Sequence, residues 1–396
     1  MRNTILISPF FAPDDSGIPL YNTSTVEYIA ENEPEVTVLT GVPFYPQWKI
    51  KPPYNTSKRF SYEKKGNINI FRVKMYVPKT PTFIKRVIQI IHFSILSLKF
   101  LFKLPKQSKI LVVVPYSSCI VIALLVKFFR GGKIWCHIQD FEFDAAIETM
   151  NISVLKKLLF KTERFLFNRC DRTSTISNAM LKKLKSKTNT STYHFPNYID
   201  TGSLKKYSEK HPYYLECKKP HLLYSGNIGE KQDWEFFIRI CQICEGKIYI
   251  TVVGDGSKRE WLENQILKIE GIFLKPPVPY AEVPFLLDSF DGHILFQKST
   301  IVDSVMPSKL LGMMLSQKPC FLTGNEYSET NKIIKDSNGG FFMSNPNPLH
   351  MFEMIYSILN DRKKAQKMGQ NAKHYIEKSF SKKKTLSNFY NEFVKL

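Results

Sequence analysis

The chain has 396 residues, 43% of them hydrophobic, with 56 Lys+Arg against 35 Asp+Glu and a net charge of +21. That composition excludes an intrinsically disordered chain, and the length predicts two domains, each able to bury its own core. Seven cysteines at irregular spacing exclude a disulfide framework and predict a reducing, cytoplasmic setting.

The opening MRNTILISPFFAPDD has a short apolar run and then two acids. It lacks the longer apolar core and small-residue cleavage site of a secretion signal. We read it as a strand, Ile5–Ser8, running into a loop with Gly17. A helix over Ser24–Glu31 and strands over Glu35–Leu39 and Ile68–Val73 follow. In residues 83–104, Ile84, Val87, Ile88, Ile91, Ile95 and Leu98 are bracketed by Lys85, Arg86, Lys99 and Lys103. The uncharged part, Val87–Leu98, is twelve residues; a bilayer span needs about 20. The segment reads either as a helix lying on a membrane surface or as a helix facing a core. The charge around it favours the membrane. From Lys49 to Lys109 there are 15 Lys+Arg and one acid, Glu63; from Lys156 to Lys187 there are ten and two. So local a surplus implies an anionic partner, here an anionic membrane surface. Spaced aromatic platforms, zinc-finger and RNP patterns are absent, so no nucleic-acid partner is expected.

Ile110–Phe129 is apolar but interrupted by Pro115-Tyr116-Ser117-Ser118. It reads as a buried strand (110–114), a loop and a buried helix (118–129) rather than a span. Lys133–Ile138 is a strand, Val154–Asn168 a helix, Thr173–Ile176 a strand, Asn178–Lys185 a helix and Thr192–Phe195 a strand. Residues 200–219 are polar and irregular, a natural linker. The alternation then restarts. His221–Ser225, Ile248–Val253, Gly271–Phe273, Gly292–Phe296 and Cys320–Thr323 read as strands. Trp234–Cys244, Trp261–Ile269, Val283–Asp288, Ser308–Leu315 and Leu349–Leu359 read as helices. This predicts an α/β protein with two Rossmann-like, doubly wound domains facing across a cleft: 1–199, a linker at 200–219, 220–375, and a helical tail, 376–396. Ligands of such sheets bind at the carboxyl ends of the strands.

Several loops at those ends carry chemistry. Ser225-Gly226-Asn227-Ile228-Gly229-Glu230-Lys231 has two glycines that let backbone N–H groups approach an anion, and a lysine beside them. It is neither GxxxxGK[ST] nor GxGxxG. Val253-Gly254-Asp255-Gly256 reads as a tight turn. Pro307-Ser308-Lys309 opens a helix whose free N–H groups suit a phosphate, flanked by Asp303. His137-Ile138-Gln139-Asp140 ends a strand, with His137 read as a core histidine and Asp140 as an acid/base group or sugar-hydroxyl ligand. No Asp-x-Asp pair occurs. Cys241 and Cys244 lack the partners of a zinc site.

In their order these pieces resemble the retaining, GT-B fold glycosyltransferases of family 4, in the branch around the colanic-acid biosynthesis fucosyltransferase. The likeness runs through Gly17-Ile18, Gly41-Val42-Pro43-Phe44-Tyr45-Pro46-Gln47-Trp48 and His137-Ile138-Gln139-Asp140. It continues through Phe195-Pro196-Asn197-Tyr198-Ile199-Asp200, the loop Ser225–Gln232, and Asp303…Met306-Pro307-Ser308-Lys309-Leu310. The resemblance implies metal-independent, cofactor-free transfer from a nucleotide-sugar donor, UDP- or GDP-linked. It places the donor on the second domain and the acceptor on the first. Carried over by position, Gly17 offers its amide to the donor diphosphate. Gly226, Asn227 and Lys231 hold it, and Pro307, Ser308, Lys309 and Leu310 cradle it. Asp303 and Glu329 touch donor hydroxyls. Asp140 stands near the reacting sugar and, with Lys231, serves catalysis. The sequence departs from the wider family at Gly312, where a ribose-binding Glu is common. It departs also at Asn227, where an Arg is usual, and at Gln139, where other branches have His. The phosphate charge therefore rests on Lys231 and backbone dipoles. An enzyme of this branch in surface-polysaccharide synthesis (O-antigen, capsule or exopolysaccharide) meets a lipid-linked, polyprenyl-diphosphate acceptor on the inner face of the plasma membrane. The competing classes are a nucleotide-sugar 2-epimerase and a non-catalytic membrane-surface protein.

Overall fold

A computed structural model describes residues 3–14, 17–45, 47–80, 82–141, 153–202, 207–300 and 308–396, with the side chains of 153–156 and 308 left aside. Asp303 and Pro307 lie outside the described residues, and Ser308 is described only in its backbone. The chain divides into two compact units, 1–196 with 386–396, and 197–385.

The first unit is built on eight strands: β1 Thr4–Ile7, β2 Val36–Gly41, β3 Phe60–Lys65, β4 Ile68–Val73, β5 Ser108–Val114, β6 Gly132–Ile138, β7 Arg172–Thr175 and β8 Ser191–His194. Their order is β3-β4-β2-β1-β5-β6-β7-β8. All pair in parallel except the edge strand β3, which is antiparallel to β4. The central strands β1, β2 and β5 are buried along their whole length, as a sheet covered on both faces requires. The helices are α1 Ile18–Asn32, α2 Phe83–Ser97, α3 Ser118–Arg130, α4 Ser153–Arg169 and α5 Asn178–Lys187. The strand order advances from β4 to β5, β6, β7 and β8. Right-handed crossovers therefore put α2, α3, α4 and α5 on one face and α1 on the other. Strand β3 was invisible to the sequence reading because FSYEKK is polar and half-exposed.

Part of the basic surplus is internal. Lys109 is 5% exposed and pairs with Glu33 at 2.6 Å, where Thr4 Oγ1 also donates to Glu33 at 2.7 Å. Arg72 pairs with Glu63 at 2.8 Å and Lys187 with the buried Glu163 at 2.5 Å. These three bases are matched where they stand and add nothing to an outer patch.

The second unit has six parallel strands: β9 His221–Ser225, β10 Tyr249–Val253, β11 Ile272–Lys275, β12 Gly292–Phe296, β13 Cys320–Thr323 and β14 Gly340–Met343. Their order is β11-β10-β9-β12-β13-β14. Its helices are α6 Trp234–Ile243, α7 Arg259–Ile266, α8 Val283–Ser289, α9 Ser308–Leu315, α10 Glu329–Ser337, α11 Pro348–Asn360 and α12 Arg362–Ser379; α13 Lys382–Phe393 follows. Asp233, Ser328, Asn347 and Asp361 cap α6, α10, α11 and α12 with side-chain acceptors. Helix α10 and strand β14 escaped the sequence reading because Lys, Asn, Asp and Gly dilute their apolar pattern.

The structure redraws three boundaries. The segment read as a linker packs on the second unit from 207 onward. Lys210 Nζ donates to the Ser289 carbonyl at 2.7 Å, the His211 N–H donates to Ser289 Oγ at 2.9 Å, and Tyr214 sets its ring 5.5 Å from Phe290. The first unit ends at 196 rather than 199, because Ile199 pairs its backbone with Phe380 and Lys382. The tail is not a separate element: residues 386–396 belong to the first unit. There Phe389 stacks on Phe195 at 4.1 Å and lies 5.2 Å from Trp135, and Arg172 pairs with Glu392 at 2.7 Å. Apolar side chains at helical spacing carry that docking, and nothing in their pattern says which sheet they cover.

Candidate donor site

In a doubly wound sheet the loops diverge where the strand order reverses, and ligands bind in the crevice they leave. In the second unit that point lies between β9 and β12, since β10 and β11 run to one side and β13 and β14 to the other. The sequence-predicted loop Gly226–Lys231 follows β9, and residues 297–300 follow β12. They are joined by a bridge between Gln232 and Gln297, and the Lys298 N–H donates to the Lys231 carbonyl at 3.2 Å.

The β9 loop is held shut by glycine contacts. The Gly226 N–H donates to the Val253 carbonyl, and the Ile228 N–H to the Asp255 carbonyl, each at 2.8 Å. A Cβ on Gly254 would fall 1.9 Å from the Gly226 carbonyl oxygen, and one on Gly256 2.4 Å from that of Ile228. Only glycines let the β9 and β10 loops lie this close. The Tyr224 hydroxyl donates to the Asn227 carbonyl at 2.6 Å, and Trp234 Nε1 to the Gly229 carbonyl at 3.0 Å.

Lys309, in the first turn of α9, folds onto this loop. Its Nζ donates to the Tyr224 hydroxyl at 3.1 Å. Burial lowers its pKa from 10.5 to about 8, and burial also pushes the Tyr224 phenol up. Leu310 is fully buried and fixes the helix start in the core. Gly226, Asn227, Lys231, Lys309 and Leu310 thus fall at the reversal point of one sheet. Lys231 and Asn227 are exposed. Glu329 is the first residue of α10, 6% exposed, at a positive dipole end. Two buried amide oxygens, Gln232 Oε1 and Asn331 Oδ1, have no partner among the described residues. They are acceptors suited to sugar or ribose hydroxyls; Gln232 closes the Ser225–Gln232 loop of the family likeness, whereas no motif includes Asn331. The sequence assigns no role to Tyr224 and reads Gly254 only as part of a tight turn, because each acts through a neighbour rather than by its own charge. At Gly312 a Cβ would stand 3.1 Å from Leu287, so the face where a ribose-binding Glu is common is packed here.

In the first unit the order reverses between β1 and β5. Gly17 caps α1 after β1, with φ at +66°, a conformation that favours glycine. Asp14 braces the same loop, accepting from the Phe44 and Tyr45 N–H groups at 3.0 Å and pairing with Lys51. Asp140 is half-buried in the turn after β6. His137 is a core histidine: its Nδ1 meets Ser174 Oγ at 2.9 Å, its Nε2 meets Gln139 at 3.0 Å, and burial lowers its pKa to about 3. Cys241 and Cys244 are both buried in the core.

The basic helix segment is two-faced. Phe93, Leu96, Phe100, Leu101 and Leu104 are buried, while Ile84, Val87, Ile88, Ile91, Ile95 and Leu98 are exposed. Arg86, Lys99 and Lys103 are exposed and Lys85 is half-exposed. Among the described residues no helix is long and apolar enough to cross a membrane.

Residues 208–375 match the family Glycosyl transferases group 1. The second unit therefore carries a domain of that family, and the chain as a whole, with its two Rossmann-like units, has the GT-B fold. Over 96% of its length it is 27% identical to WcaI of Escherichia coli, which bears the name of a colanic acid biosynthesis glycosyl transferase, covering 97% of that protein. Sucrose-phosphate synthase of Thermosynechococcus elongatus superposes with a TM-score of 0.75 at 11% identity, over 100% of this chain and 99% of that one. HepE of Anabaena, in complex with UDP-glucose, gives 0.68 at 12% identity over 100% of both.

Proposed function

We propose that the protein transfers a sugar from a UDP- or GDP-linked donor to a lipid-linked, polyprenyl-diphosphate saccharide in bacterial surface-polysaccharide synthesis. Transfer retains the anomeric configuration and uses neither metal nor cofactor. The observation that carries this reading is the meeting of the Gly226–Lys231 loop with Lys309 at the reversal point of the second sheet. Backbone N–H groups and two lysines there suit a diphosphate without an Asp-x-Asp metal clamp. The likeness to WcaI supports the polysaccharide setting, and the likeness to HepE, solved in complex with UDP-glucose, supports a nucleotide-sugar donor.

On this reading Lys231, Lys309 and the start of α9 with Pro307 and Ser308 stabilise charge on the departing diphosphate, an electrostatic role. Gly17 adds a backbone donor. Asp303 and Glu329 hold donor hydroxyls, and Asp140 stands near the reacting sugar. The enzyme works as a peripheral protein on the inner face of the plasma membrane, with Lys85, Arg86, Lys99 and Lys103 facing anionic lipid.

A thermal-shift panel with UDP, GDP, dTDP, CMP and ADP tests the donor site, since a ligand that binds the folded state raises the melting temperature. One clear responder is expected. The matching nucleotide sugar, incubated with membrane lipid extract, should then label a lipid-linked product. Lys231→Ala should lower that turnover by about 100-fold or more. Consumption of donor without acceptor would favour the epimerase class instead. Replacing Lys85, Arg86, Lys99 and Lys103 by Glu should release the protein from membranes; unchanged recovery would refute the membrane-facing assignment.

A further inference from the structure

Helix α2 wears its apolar residues on the wrong side for a soluble protein. Along α2 and the 3-10 helix Leu98–Lys103 that follows it, Ile84, Ile88, Ile91, Ile95, Leu98 and Phe102 recur at spacings of four and three, and all six are exposed. The inward face is already packed: Phe93 and Phe100 are buried, and the buried Gln89 accepts from the Tyr116 hydroxyl at 2.7 Å. The outward isoleucines therefore have no vacancy in this unit to fill.

The stripe ends at an aromatic corner. Phe102 lies 5.7 Å from Phe129, and Phe129 lies 4.9 Å from Phe128 at the end of α3. They are 67%, 50% and 80% exposed. The corner is braced from beneath: Arg130 Nε donates to the Leu104 carbonyl, and the Gln107 N–H to the Arg130 carbonyl, each at 2.9 Å. Three phenylalanines held outward on locked backbone form a wedge rather than a loose end. Lys99, Lys103 and Lys106, on the same stretch of chain, are exposed. Between Glu63 and Asp140 the sequence contains no Asp or Glu.

We infer that this stripe and corner are the surface that seats the protein on an anionic bilayer, with Phe102, Phe128 and Phe129 inserted below the headgroups and the lysines at phosphate level. The inference rests on the proposed membrane setting and deepens it, by moving the contact from the lysines to an apolar surface that extends beyond the 83–104 segment to Phe128 and Phe129. Charge selects the occupant. A second copy apposed here would bring lysines against lysines, whereas an anionic lipid surface complements them. A twelve-residue uncharged run can lie in the interface but not cross it.

The test uses the full chain and two kinds of vesicle, phosphatidylglycerol mixed with phosphatidylcholine, and phosphatidylcholine alone. Wild type should co-sediment with the first and weakly with the second. Phe128→Ser with Phe129→Ser should lower partition by about tenfold or more, with an unchanged melting temperature reporting that the fold persists. Phe128→Trp should bind like wild type and shift its emission to the blue on the anionic vesicles. Undiminished partition of the serine variant, or no blue shift in bound Phe128→Trp, overturns the inference. So does a concentration-dependent dimer that dissociates in the serine variant. Vesicle binding needs neither donor nor acceptor, so the two readings fail separately. Binding as described without sugar transfer refutes the function and leaves the surface. Sugar transfer by a protein that ignores vesicles does the reverse.

Discussion

The Lys309 ammonium donates to the Tyr224 hydroxyl at 3.1 Å and lies 4.9 Å from the centroid of the same ring. The phenol in turn donates to the Asn227 carbonyl at 2.6 Å. One tyrosine thus fixes both the lysine and the loop beneath it. Burial holds Lys309 at a pKa of about 8, so the free protein carries the charge below that pH and loses it above. A diphosphate favours the charged form. Nucleotide affinity should therefore fall as pH rises past about 8, approaching tenfold per unit if binding requires the ammonium. The stability linkage has the opposite sign. The unfolded lysine, near 10.5, binds more protons than the folded one between about 8 and 10.5, so this group's contribution to apo stability rises with pH across that window. Tyr224→Phe removes the acceptor and destabilises the ammonium, which should move the decline in affinity to lower pH. Calorimetric titration of the nucleotide at several pH values checks this; superimposable profiles for the two proteins would refute a positioning role for Tyr224.

Gly226 makes the fold of Lys309 possible. Its φ is +138°, and a Cβ there would stand 2.2 Å from Lys309 Cε and 2.3 Å from Nζ. Gly226→Ala should cost about 1–3 kcal/mol of backbone strain and expel the lysine from its seat. The expected result is weaker nucleotide binding together with a Lys309 that titrates nearer its ordinary value, so the affinity loss above pH 8 disappears. A variant that only melts earlier, with the wild-type pH profile, would show that the lysine does not depend on this glycine.

Much of this was legible beforehand, and the exceptions share a physical cause. Runs such as LVVV in β5 can only be buried strands, so the alternation and the two doubly wound sheets followed directly. Glycine turns after strands are ordinary, so glycine and lysine in the β9 loop pointed only weakly to an anion site; the structure adds Lys309, folded against Gly226. The roles of Tyr224 and Asn331 carried no such sign, and Gln232 stood only as the last residue of the family likeness. Each is common in any core, and their significance lies in what the fold sets beside them. The same holds for charge: counting could not show that Lys109 and Lys187 pair with buried acids 76 and 24 positions away.

The Lys109–Glu33 pair gives a stability test in the first unit. Glu33→Ala strands a buried ammonium, at a cost of about 3–5 kcal/mol. The double variant Lys109→Met with Glu33→Leu removes both charges and should recover most of that loss. Urea denaturation of the three proteins measures it. A double variant as unstable as Glu33→Ala would mean that packing under Phe393, whose ring lies 5.4 Å from Lys109 Nζ, matters more than charge.

Phe389 shows why the last helix cannot be treated as an appendage. It is fully buried, stacked on Phe195 at 4.1 Å with a 12° tilt and set edge-on to Trp135 at 5.2 Å. These rings cover β6 and β8 on the side of the sheet away from α2 and α3. Phe389→Ala leaves a cavity against rigid neighbours and should cost about 3–5 kcal/mol. The loss should appear in the unfolding transition that Trp135 reports, while nucleotide binding at the second sheet keeps its affinity in the folded protein. If instead the nucleotide site failed first, α13 would be supporting the second unit, and its assignment to the first would be wrong.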